Sequence, residues 1–183
     1  MIVLLVILLI IAFLFLSWIV KTSNKFKIMQ VKIGEADAGI GVALQKRYDT
    51  LTKLMQTVKA YAKHEVDTLT KMVELRQGLS GASIAEKADY AHKLDSAASQ
   101  IQVVAESYPE LRSSDNYRQF QDAILDSEDH LQAARRLYNN NVSAFNQAIV
   151  VFPASIIANA SHLAPLGFFE IEEAKRQDVV IDL

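Results

Sequence analysis

From Ile40 to Val73, apolar residues recur at helical spacing, and that recurrence most restricts what the chain can become. Ile40, Leu44, Leu51, Leu54, Val58 and Tyr61 share one face. The seam then drifts to Ala62, Val66, Leu69, Met72 and Val73, as happens when a 3.6-residue period meets a fixed heptad count. Lys46, Asp49, Lys53, Lys59, Lys63 and Asp67 take the other faces. A helix cannot bury such a stripe on itself, so later segments must cover it.

Two later stripes do so. Gln77-Gly78-Leu79-Ser80-Gly81 ends the first helix, with Gly78 suited to a left-handed cap. Ser83 followed by Glu86 is a capping box. It opens a second helix with Ile84, Ala88, Ala91, Leu94, Ala98, Ile101 and Ala105 on one face. Pro109 stops it, because the residue before proline disfavours helical geometry. Ser113-Ser114-Asp115 supplies the next N-cap, in a loop expected to be exposed. A third helix then aligns Tyr117, Phe120, Ile124, Leu131, Ala134, Tyr138, Val142, Phe145 and Ile149. Phe152-Pro153 breaks it, and Ala154–Ala160 forms a short helix with Pro153 at its first position. Leu163–Phe169 reads as a loop that packs aromatic side chains on the bundle end, and Glu170–Gln177 as one or two further turns. The predicted class is all-α: an N-terminal transmembrane helix, then an antiparallel, coiled-coil-like bundle of three long helices plus a short C-terminal helix.

Ile2–Ser17 is almost pure Ile, Leu, Val and Phe without charge, and Trp18, Ile19 and Val20 extend it to the ~20 residues that a membrane-spanning helix needs. Trp18 stands at the interfacial position, and Lys21, Lys25, Lys27 and Lys32 follow. No basic side chain precedes the apolar run, and Lys21–Lys25 offers no small-residue cleavage site, so a cleaved signal peptide is disfavoured. Trp18, Lys21, Lys25 and Lys27 are therefore the candidate membrane-interface residues. The lysines also suit anionic headgroups. Basic residues on one side only place the N-terminus outside and the bundle in the cytoplasm of a single-pass protein. Gly34, Gly39 and Gly41 make the approach to the long helix continuous but bendable. The organisation is thus 1–20 anchor, 21–33 basic juxtamembrane segment, 34–177 bundle and 178–183 tail. A fragment beginning near Ile33 is expected to be soluble and almost wholly helical.

The 183 residues accommodate one domain and an anchor, and a net charge of -2 argues against a nucleic-acid binder. Without cysteine there is no disulfide framework and no thiolate metal site.

Several blocks resemble the bacterial LemA family. They are Gln45-Lys46-Arg47-Tyr48-Asp49, Val58-Lys59-Ala60-Tyr61-Ala62-Lys63-His64-Glu65, Ala105-Glu106-Ser107-Tyr108-Pro109-Glu110-Leu111, and Ala134-Arg135-Arg136-Leu137-Tyr138-Asn139 with Phe145-Asn146 and Phe152-Pro153. Phe168-Phe169-Glu170 is similar to the family's C-terminal element, and the blocks lie in the family's order. The resemblance implies a single-pass membrane protein with an antiparallel helical domain and no established enzymatic activity. Two positions depart from the family pattern. Leu51-Thr52-Lys53 replaces a frequent Ile-Pro-Asn, which removes a mid-helix proline, and Ser23-Asn24 replaces Tyr-Asn after the anchor.

Catalytic signatures are weak. A bundle di-metal site wants two Glu-x-x-His motifs and two further glutamates, whereas this chain has Asp89-x-x-His92, and His130 at the wrong spacing from Glu128 and Asp129. His64-Glu65 has Thr68 where a second histidine would be needed. No nucleophile elbow or phosphate-binding loop occurs. The expectation is no enzyme, no cofactor and no metal. Arg47 interrupts an apolar seam, and Arg135 lies beside another. With Glu65, Tyr138, Asn139 and Asn146 they suggest a partly buried polar network that fixes helix register. The expected function is protein–protein interaction, as a scaffold, assembly subunit or signalling adaptor, with membrane lipids, unidentified proteins or further copies of the chain as partners. The alternatives are a lipid-binding or membrane-shaping module and, behind it, an enzyme with a site between helices.

Overall fold

The computed structural model describes residues 1–61 and 81–170. The expected stripe beyond Tyr61, the Gly78 cap, Glu65, the turns after Glu170 and the tail lie outside the described residues. Among the described residues there are five helices: α1 (Ile2–Tyr61), α2 (Ile84–Glu106), α3 (Pro109–Arg112), α4 (Asp115–Val150) and α5 (Ala154–Ala160). Among the described residues there is no strand, and the chain is all-α with a long apolar N-terminal helix and a helical bundle. It divides into two compact units. One comprises Met1–Ala36 and Leu137–Phe168, the other Asp37–Arg136 and Phe169–Leu183.

In the second unit, Ile40, Leu44, Leu51, Leu54 and Val58 of α1 are fully or almost fully buried. Tyr61, expected on the same face, is exposed. The α1 helix passes unbroken through Leu51-Thr52-Lys53, as the missing proline allows. The capping box of α2 is formed in both directions. The Ser83 amide donates to the Glu86 carboxylate at 2.7 Å, and the Glu86 amide donates to Ser83 Oγ at 3.3 Å. These bonds hold the Glu86 carboxyl below the usual carboxylate range. The core face of α2 is turned from the expected one. Lys87, Tyr90, Ala91, Leu94, Ala97, Ile101 and Ala105 are buried, while Ile84, Ala88 and Ala98 are half-buried. The alanine-rich helix offers two adjacent faces of similar hydrophobicity, so periodicity alone does not choose between them. Tyr108, extended before Pro109, ends α2 as expected, and Pro109 then opens the one-turn α3.

Charge pairs show the helix directions. Asp37 of α1 accepts from Lys87 of α2 at 2.6 Å, and Arg47 pairs with Asp95 at 2.7 Å. Both residue numbers rise together, so α2 runs parallel to α1, contrary to the antiparallel expectation. The α4 pairings run the other way. Lys46 meets Asp126 at 2.6 Å in the second unit, and in the first unit Asn141 donates to the Lys32 carbonyl at 3.2 Å and Phe26 meets Phe145. Ser114 caps α4, accepting from the Tyr117 amide at 3.2 Å and donating to the Leu111 carbonyl at 2.7 Å. It is half-buried rather than freely exposed.

In the first unit, the apolar run of α1 from Ile2 to Leu16 is exposed throughout. Burial begins at Phe26 and Ile33, inside the stretch expected to lie outside the bundle. The Phe26 and Phe145 rings meet edge-to-face with centroids 6.5 Å apart. Pro153 occupies the N-cap of α5 rather than its first turn, after a cis Phe152–Pro153 bond. At the other end His162 takes the left-handed conformation, and bonds from Leu163 N–H to Ala158 and from His162 N–H to Asn159 close a Schellman turn.

Gly34, Gly39 and Gly41 sit within α1, and a Cβ added at any of them meets nothing within 4 Å. Alanine should therefore stabilise each position by about 0.5–1 kcal/mol through helix propensity. The triple variant should melt several degrees higher by circular dichroism. Gly81, at a φ of +78°, is the contrast, because alanine there is strained and should lower the melting temperature. A triple variant melting at or below wild type would show that α1 needs these glycines for another reason.

Candidate functional site

The described residues form two polar clusters, one in each unit: a largely buried one in the second and a more exposed one in the first. In the second unit, Arg47 extends from the apolar face of α1, and its side chain is only 7% exposed. One terminal nitrogen pairs with Asp95 of α2 at 2.7 Å, and the other pairs with Glu128 of α4. A single guanidinium thus joins three helices, as its planar fork of donors permits. The Glu128 carboxylate also accepts from Gln132 at 2.8 Å. Arg47 Nε is buried without a hydrogen-bond partner, which offsets part of the gain from the two ion pairs. Arg135 of α4 completes the balance of two cations and two anions. Burial lowers its pKa; Glu128 and Asp95 act against that shift, and Arg47 adds to it. The Arg135 guanidinium lies over the ring of buried Phe169, 4.7 Å from its centroid.

Nearby, Tyr90 is buried, and its phenol is pushed up to about 12, first by burial and then by Tyr48 and Asp49. Lys87, with a side chain 6% exposed, is matched to Asp37. The ion pairs of Arg47 and Lys87 join residues on different helices, so they act on how the helices fit together.

The first unit uses its polar residues differently. Asn146 grips Leu166 by both backbone groups: Asn146 Nδ2 donates to the Leu166 carbonyl at 2.9 Å, and the Leu166 amide donates to Asn146 Oδ1 at 2.9 Å. Tyr138 donates its hydroxyl to the Gly167 carbonyl at 3.2 Å. Together they hold the loop after α5. The six residues proposed from sequence as one network therefore divide. Arg47 and Arg135 belong to the charged cluster, Tyr138 and Asn146 to the loop clamp, Asn139 is half-buried on α4, and Glu65 lies outside the described residues. Asp95, Glu128, Lys87 and Asp37 were missed. Their partners lie on other helices, and only local i,i+4 pairing can be read from spacing.

Among the candidate interface residues, Trp18 is half-buried beside Phe15, with ring centroids 5.9 Å apart, and Lys21, Lys25 and Lys27 are exposed. Asp89 pairs with Lys93 at 2.8 Å, and His130 lies 3.5 Å from Asp126. The hydrogen bond from Lys46 holds Asp126 below the usual carboxylate range. Among the described residues, no group of three or more His, Asp and Glu is arranged to hold a metal ion.

Two comparisons bear on the family. The sequence profile of the LemA family matches residues 36–183. A protein named "Protein LemA" from Metamycoplasma hominis is 30% identical over 152 residues, which cover 82% of this chain and 69% of that protein. With a profile match across most of its length and a curated relative that agrees in name, the chain belongs to the LemA family.

Proposed function

We propose that this protein is a single-pass, membrane-tethered helical bundle that acts by holding protein partners, as a scaffold, assembly subunit or signalling adaptor. In this reading the N-terminus lies outside a bacterial cell membrane and the bundle lies in the cytoplasm. The observation that carries the proposal is α1 itself. An uncharged segment long enough to cross a bilayer, with no residue buried, continues without interruption into the helix that supplies the bundle's buried stripe. The lysines that follow the segment support the orientation. The principal buried charges are matched to one another, which suits a structural module better than a site that must meet a substrate.

Extraction in mild detergent, followed by native mass and composition analysis, tests the reading. The expected result is a complex containing a second protein or further copies of this chain. A lone monomer that retains a stoichiometric metal or small molecule would overturn it in favour of an enzyme.

A further inference from the structure

We propose that the turn between α4 and α5 is a second membrane contact, with Val151 and Phe152 seated in the headgroup–acyl boundary of the same leaflet that α1 leaves near Trp18. The inference rests on the reading of α1 as a membrane span.

The first observation is exposure. Val150, Val151, Phe152 and Ile156 are 66%, 58%, 77% and 58% exposed. They cluster about a 96° bend between α4 and α5, while Ile157 and Ala158 anchor α5 to the unit. Contiguous apolar exposure of this kind marks an interaction surface. The second is composition. From Leu137 to Phe169 the chain contains no Asp, Glu, Lys or Arg, although 22% of the whole sequence is charged. A surface facing only water would not need that exclusion.

The third observation names the occupant. Val151 and Ala154 line the same open cleft as Trp18 and Thr22 of α1. The exposed turn therefore lies at the level where the apolar run of α1 ends and its interfacial tryptophan stands. A bilayer that receives α1 meets this turn as well. The turn also fits the boundary rather than the bilayer interior. The seven residues of α5 reach only about 10 Å, against roughly 30 Å for a hydrocarbon core. The amides of Val151, Ser155 and Ile156 donate to the Gln147, Val151 and Pro153 carbonyls, so the bend carries few bare donors into a medium that penalises them.

The test uses the full-length protein in phosphatidylcholine–phosphatidylglycerol vesicles. Phe152→Cys, Asn140→Cys and Leu14→Cys are each labelled with an environment-sensitive fluorophore, and the native chain adds no competing thiol. Asn140 is exposed on α4, ten residues (about 15 Å) before Val150. At position 152 the expected result is a blue shift, loss of quenching by aqueous iodide, and quenching by nitroxide carried on the lipid. Position 140 should be quenched by iodide alone, and position 14 by lipid nitroxide alone. If position 152 behaves like 140 while 14 remains lipid-quenched, the membrane contact is overturned and the span stands. Shielding of 152 from both quenchers would also overturn it, showing that protein covers the turn. Iodide quenching at position 14 would remove the span, and this inference with it.

Discussion

Arg47→Ala is expected to destabilise the domain by about 2–3 kcal/mol. The substitution leaves Asp95 and Glu128 with Arg135 as the remaining cation of the cluster, whereas removing one partner of a fully buried ion pair costs about 3–5 kcal/mol. Both carboxylates keep about a third of their side-chain surface in water, at 30% and 33%, so hydration relieves part of that penalty. Lys46→Ala breaks the Lys46–Asp126 pair, whose members are 43% and 59% exposed, and should cost no more than about 1 kcal/mol. Lys53→Ala, on an exposed face of α1, should stay within about 0.5 kcal/mol. Urea unfolding of the three variants measures the order. Combining Arg47→Met with Glu128→Gln should recover part of the loss, because Arg135 and Asp95 then balance one another. If Arg47→Ala and Lys53→Ala unfold at the same urea concentration, the three-helix junction contributes nothing to stability.

Phe26→Ala is expected to cost about 3 kcal/mol or more, because the ring is buried against Phe145 and its removal leaves a cavity. Lys27→Ala, at the adjacent exposed position, should change stability by no more than about 0.5 kcal/mol. The difference locates the start of the packed structure. A fragment beginning at Lys21 should therefore melt above one beginning at Ile33, which lacks Phe26 and leaves Phe145 uncovered. Equal melting temperatures would return residues 21–32 to the role of a spacer.

These variants fall on features of unequal legibility. The face of α1 from Ile40 to Val58, the Ser83–Glu86 box and the stop at Pro109 can be read from the chain because each depends on residues within a turn or two of one another. The LemA blocks are legible for a different reason, since order and wording carry them without any geometry. The parallel course of α2 is not legible, because it shows only in Asp37–Lys87 and Arg47–Asp95, pairs made across helices. For the same reason Arg47 stands out as a charge within an apolar seam while its two carboxylates do not. Asn146 and Tyr138 stand out as polar residues near a seam, but their partners are backbone groups of Leu166 and Gly167, which side-chain patterning does not reveal. Phe26 was placed outside the bundle because the surrounding lysines mask a single apolar position, and one buried aromatic leaves no period to detect.

Accessibility of the bundle in living cells bears most directly on the assignment of α1 as a span with the bundle in the cytoplasm. Ser113 is the suitable position: it is exposed, whereas neighbouring Ser114 caps α4 and would be damaged by substitution. In a chain without cysteine, Ser113→Cys provides a single thiol. Intact cells treated with a membrane-impermeant maleimide should leave it unmodified, and lysed cells should label it fully. Labelling in intact cells would place the bundle outside and contradict both the orientation and any cytoplasmic partner.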